Sequence, residues 1–136
     1  MNEFLKWSEE IKPELQQTAE LLSIPLSDEP AKLIHDLTEI ESVNGRMGAL
    51  LAQAEAWLDR YTLIALPQKE EGKLEADRKA LLDSETSPIR LLRDTIEHYS
   101  DCIRQRLILG ESLLSYMKIY AERSIMVKPK GTDKIY

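Results

Sequence analysis

The stretch SPIRLLRDTIEHYSDCIRQRLILGESLLSYMKIYAERS, residues 87–124, decides how this chain folds. Ser87 reads as an N-cap and Pro88 as the first helical residue, and no further proline appears until Pro129. Ile89, Leu92, Ile96, Tyr99 and Ile103, then Leu113, Met117 and Tyr120, return at steps of three and four. That is the heptad seam of a helix packing lengthwise on another. Arg106 and Gly110 interrupt it, one with a charge and the other with no side chain where a knob is expected. At about 1.5 Å per residue the helix is roughly 55 Å long, which requires an elongated molecule.

Upstream, Leu33, Leu37, Ile40, Asn44, Met47, Leu51, Ala54, Leu58, Tyr61 and Ala65 are spaced four and three without a slip, predicting a second helix of about ten turns. Asn44-Gly45 is a strong turn dipeptide and Gly48 weakens the same region, so a turn joining two helices is the alternative. The unbroken phase favours continuity and puts Asn44 at a core position, where a polar group costs stability and fixes register. Past Ala65 the phase would bring Gln68, Gly72 and Glu75 inward, so the seam fails near Pro67, where a kink is expected. Residues 68–83 remain helix-prone, anchored by Leu74, Ala80, Leu81 and Leu82, and Ser84-Glu85-Thr86-Ser87 reads as a tight turn. Folding back about residue 86 sets Leu66 beside Arg106, Leu74 beside Tyr99 to Cys102, and Asp94 opposite Arg78.

At the N-terminus, Phe4, Ser8, Ile11, Leu15, Ala19 and Leu22 trace one helical face, with Asn2 as the N-cap. Pro13 lies off that face and either kinks one helix or starts a second. Residues 23–30 hold two prolines and several capping residues, a loop ending in an N-cap at Ser27 or Asp28. The resulting expectation is an all-α protein: an elongated, coiled-coil-like antiparallel hairpin of long helices over about residues 44–126. The N-terminal helices, within 2–43, pack on the end near Asn44, and residues 1–126 form a single domain. Residues 127–136 are polar, with Lys128, Pro129, Lys130, Gly131 and Lys134, and read as a flexible basic tail.

Composition agrees with long solvated helices around one modest core: 136 residues, 43% hydrophobic, 31% charged and five glycines. The formal charge of −6 is uneven. Residues 1–87 carry 9 basic and 18 acidic side chains and residues 88–136 carry 9 and 6, so the two parts should attract each other. An acidic chain is poorly suited to coating nucleic acid, and only Arg90, Arg93, Lys128, Lys130 and Lys134 offer a small basic face. Cys102 stands alone, so no intrachain disulfide forms and a reducing, cytoplasmic setting is expected. The N-terminus turns acidic at Glu9 and Glu10, unlike a secretion signal, and no apolar run suits a membrane span.

Three constellations could carry chemistry. Asp94, His98 and Cys102 share a helix face at successive four-residue steps, a donor set zinc can use, although structural zinc sites draw paired Cys and His from two segments. Asp36/Glu39 and Asp94/Glu97 each pair carboxylates one turn apart, as all-α nucleotide pyrophosphatases do for Mg²⁺. Such spacing is common in so acidic a chain, and there is no Gly-rich phosphate loop and no His-Glu-x-x-His. No catalytic, cofactor-binding or metal-ligating residue is therefore assigned, no cofactor is expected, and the chain reads as a non-enzyme.

Trp7, Trp57 and Tyr61 read as inter-helix anchors, and Arg104, Glu111, Ser112, Ser115, Lys118 and Glu122 as a solvated face that a partner helix could use. Leu50, Trp57, Ile64, Leu107, Ile108 and Leu114 fall outside the main seam and predict self-association, a dimer being the simplest outcome. From about Met47 to Ser124, and especially over Arg78-Lys79-Ala80-Leu81-Leu82 and Glu111-Ser112-Leu113-Leu114-Ser115-Tyr116-Met117-Lys118, the layout resembles small helical phage and prophage proteins without assigned activity. The resemblance implies a cytoplasmic accessory protein and carries no site residue with it. The expected function is a non-enzymatic helical interaction or scaffold protein. An accessory role in nucleic-acid processing and a metal-dependent pyrophosphatase-like activity are the alternatives.

Overall fold

The computed structural model describes residues 1–69 and 75–133, with side chains over 1–64, 77 and 79–124. These residues form α1 (Asn2–Ser23), α2 (Pro30–Lys69) and α3 (Glu75–Asp133). The protein is all-α, and α2 and α3 pack along each other as the expected hairpin.

The heptad seam of α2 is the clearest case of sequence dictating structure. Leu33, Leu37, Ile40, Met47 and Ala54 are buried at the predicted positions, and Asn44, Leu51, Leu58 and Tyr61 are half-buried between and beyond them. Asn44-Gly45 lies inside the helix, with no turn. Gly45 and Gly48 face open space, so their cost is the ordinary loss of helix propensity, about 1 kcal/mol each relative to alanine. The helix begins at Pro30, whose fixed φ suits a first turn. Its N-cap is one or two residues later than expected: the Glu29 carbonyl accepts from Leu33 N–H at 2.8 Å, and the Ser27 hydroxyl accepts from Glu29 N–H at 3.1 Å.

The predicted turn at residues 84–87 does not form. α3 runs through it: α2 ends at Lys69 and α3 begins at Glu75. Thr86, in the stretch that resembles a cap, is satisfied within the helix: its hydroxyl donates to the Leu82 carbonyl at 2.8 Å, and Thr86 and Ile89 are both fully buried. Ser87 therefore caps nothing, and Pro88 stands inside the helix. The register moves with the turn. Leu37 meets Gly110, so residues paired across the hairpin sum to about 147, and Asp94 lies level with Gln53 instead of Arg78. It also removes the expected charge contrast, because α3 carries ten basic and ten acidic side chains. The side chains at Pro67 and residues 70–74 lie outside the described residues, as do those of the tail; the α3 backbone is helical to Asp133.

α1 is one helix through Pro13, with Met1 and not Asn2 at its N-cap. It buries Phe4, Ile11, Leu15 and Thr18, with the expected Ala19 half-buried beside Thr18 and Leu22 packed against the core. The Thr18 hydroxyl donates to the Glu14 carbonyl at 2.9 Å, so its burial leaves no hydroxyl unsatisfied. α1 runs antiparallel to α2 along much of its length, tied by Glu3 to Arg60 (3.0 Å), Trp7 Nε1 to Gln53 (2.9 Å) and Glu14 to Arg46 (2.7 Å). It therefore lies beside the hairpin rather than on its end. Ile11 and Leu15 join Ile40, Met47, Leu50, Ala54, Ile96 and Ile103 in one core. Truncating any of the large ones to alanine should cost about 2–5 kcal/mol.

α1 and the core cover three of the six apolar residues read as lying outside the hairpin seam. Leu50 is fully buried, Leu107 packs against the core, and Trp57 is half-buried. Of the six positions read as a free apolar back, Ile64 and Ile108 remain exposed and Leu114 is half-buried.

Candidate functional site

Three carboxylates of the acidic constellations, Asp36, Glu39 and Asp94, are held by structural partners. Asp36 accepts from the Ser27 backbone N–H at 3.0 Å, fixing the α1–α2 connection, and Glu39 meets His35 Nε2 at 3.1 Å. Asp94 is held by Arg93 at 2.9 Å. Cys102 Sγ lies 3.7 Å from His98 Nε2 on the same helix. Counting out from Leu37 and Gly110, the Asp36/Glu39 and Asp94/Glu97 pairs stand about 14 residues apart along the hairpin, roughly 21 Å, and even Glu39 and Glu97 are about 11 residues apart, roughly 16 Å, too far to share an ion. Among the described residues, no group of three or more His, Cys, Asp or Glu is placed to hold a metal ion. Of the basic face, Arg90 pairs with Asp83 at 2.7 Å and Arg93 with Asp94, while the lysine side chains of the tail lie outside the described residues.

Three surface features remain. The first is a groove between α1 and α2 lined by Gln17, Leu21, Ser42 and Val43 and crossed by Glu14 and Arg46. The two side chains meet in a fork, with Arg46 Nε and Nη2 donating at 2.7 and 2.9 Å. That hydrogen bond lowers the Glu14 pKa against a smaller opposing effect of burial, and it raises the Arg46 pKa.

The second is an aromatic cluster where α1 starts. Phe4 meets Trp57 edge-on at 6.2 Å, Trp7 lies 6.3 Å from Trp57, Tyr61 stacks on Trp57 at 6.0 Å, and the Arg60 guanidinium sits 5.3 Å from the Trp57 centroid. Edge and offset contacts of this kind hold helices together. Trp7 and Trp57 therefore anchor α1 to α2, as the sequence predicts, while Tyr61 backs Trp57 within α2.

The third is the outer face of α3. Ile108, Tyr116 and Ile119 are 66%, 68% and 50% exposed, and with Glu111, Ser112 and Ser115 they line a shallow groove. Leu109 extends the apolar surface, as does Tyr120, which was expected in the hairpin seam but is exposed. Arg104, Glu111, Ser112, Ser115, Lys118 and Glu122 are all exposed, as predicted for a solvated face. The sequence reading singled out Ile108 here but missed Tyr116 and Ile119. The signal for Ile119 was a second four-three-four spacing, Ile108, Ser112, Ser115, Ile119, offset from the hairpin seam, with Tyr116 on its flank.

No helix among the described residues is long and apolar enough to cross a membrane. No family model matches the chain, and neither the curated proteins nor the solved structures give a match.

Proposed function

We propose that this protein is a non-enzymatic helical interaction module, a cytoplasmic accessory or scaffold protein that docks a protein partner on the outer face of α3. One observation carries the reading: Ile108, Leu109, Tyr116, Ile119 and Tyr120 all lie at least half exposed within thirteen residues of one helix. A clustered apolar surface of this kind marks interaction sites. Binding is favoured over catalysis because Asp36, Glu39 and Asp94 are each engaged by a neighbouring group. The likeness to small phage and prophage helical proteins is of the same character, since it points to accessory roles.

The test compares the full chain with an Ile119→Glu variant as bait in a lysate of the native host, alongside nucleotide turnover with Mg²⁺. A protein retained by the wild type and lost with the variant, without turnover, is the expected result. Identical retention by both baits, or pyrophosphate release abolished by Glu39→Gln or Glu97→Gln, would overturn the proposal.

A further inference from the structure

From the order of charges along the exposed α3 face, and resting on the interaction reading above, we infer that its occupant is a second copy of the same face, paired antiparallel about a two-fold axis near Leu113 and Leu114. Ile108, Ser112, Ser115 and Ile119 form the seam of this second interface, and Gln105 and Glu122 close it with polar residues at either end. One flank carries Glu111 and Lys118, the other Leu109 and Tyr116, each pair seven residues apart. Antiparallel pairing places each Glu111 beside the other copy's Lys118, and each Leu109 beside the other copy's Tyr116. Every flanking position then meets a complementary one.

Parallel pairing fails by the same geometry, because it brings Glu111 against Tyr116 and Lys118 against Arg123, a like-charged contact. Glu111 and Lys118 are exposed and form no ion pair among the described residues, so both are free to pair across the axis. The small seam residues let the helices approach closely at the axis. Ser112 can be covered there without an unsatisfied hydroxyl, since it donates to the Ile108 carbonyl at 2.9 Å. The contact spans residues 105–122, roughly 26 Å of helix, which puts the dimer in the weak, concentration-dependent class.

Sedimentation equilibrium of the full chain from about 1 to 500 µM, with circular dichroism confirming the fold of each variant, tests the pairing. The wild type should dimerise within that range. Glu111→Lys or Lys118→Glu alone should weaken dimerisation tenfold or more by setting like charges against each other twice, and the double reversal should restore it. A monomer throughout overturns the inference, as does a dimer unaffected by either single reversal. If the chain is monomeric yet still retains a host protein through Ile119, the interaction reading stands and the second copy falls.

Discussion

Leu37 fills the space that a side chain on Gly110 would occupy. A Cβ built on Gly110 would overlap Leu37 Cδ2 and fall 3.1 Å from Cγ and 3.2 Å from Cδ1, so the missing knob in the α3 seam is the hole that receives a knob from α2. This contact pins the hairpin register, and Gly110 is buried where Gly45 and Gly48 are open.

Gly110→Ala is therefore expected to destabilise. The overlap costs about 1–3 kcal/mol and the gain in helix propensity returns about 1, leaving a net loss of about 1 kcal/mol. In a Leu37→Ala background the same substitution should stabilise, because the hole is then empty. Gly45→Ala and Gly48→Ala serve as controls and should each stabilise by about 0.5–1 kcal/mol. Urea unfolding of the four-member cycle checks this; additive effects of Leu37→Ala and Gly110→Ala would show that the contact is not made.

Arg106 does not sit idle in the seam. Its Nη1 donates to the carbonyl of Ile24, the C-cap residue of α1. Seam arithmetic alone predicts a gain in stability for Arg106→Leu. The contact predicts a loss, of about 1–3 kcal/mol, because a helix C-terminal carbonyl loses a cationic donor. Asn44→Leu should act in the opposite sense and raise the melting temperature, since Asn44 is half-buried between Ile40 and Met47 on the α2 seam. Thermal melts of the two variants distinguish the cases by sign.

The Glu14–Arg46 fork gives a pH signature. The Glu14 carboxyl titrates below its ordinary value in the folded protein, so its contribution is present above the unfolded pKa, about 4.5, and is lost as pH falls through the lower folded value. Glu14→Gln should melt slightly below the wild type at pH 7, and the gap should close as the pH falls below the unfolded value and through the lower folded one. Both side chains are close to half exposed, so the gap is small and shrinks in high salt. A gap independent of pH would assign the effect to packing.

What the sequence made legible is what a single helix encodes in its own phase. The α2 stripe from Leu33 to Tyr61 and the α3 stripe from Ile89 to Met117 were readable because each helix faces one long neighbour, and that neighbour writes a heptad. The reversal was misplaced because Ser84, Thr86, Ser87 and Pro88 satisfy every local rule for a helix start. Hydroxyls that cap one helix can return to a carbonyl inside another, and the burial of Thr86 and Ile89 decides between them. Leu50 and Leu107 looked like a free apolar back because the position of α1 depends on contacts far apart in sequence. The α3 face was half legible: its polar members were grouped correctly, while Tyr116 and Ile119 were not grouped with them.

Arg106 and Ile24 are 82 positions apart, and Ile96 and Ile103 reach the core beside Ile11 and Leu15 across a similar distance. During synthesis at about 5–20 residues per second, α1 leaves the ribosome several seconds before the helix that completes its pocket. In that interval it can lean only on α2, whose own buried stripe is still waiting for α3. Assembly is therefore back-loaded: a nascent chain halted before Ile103 carries two amphipathic helices with no finished core between them, and is in most need of a chaperone at that moment.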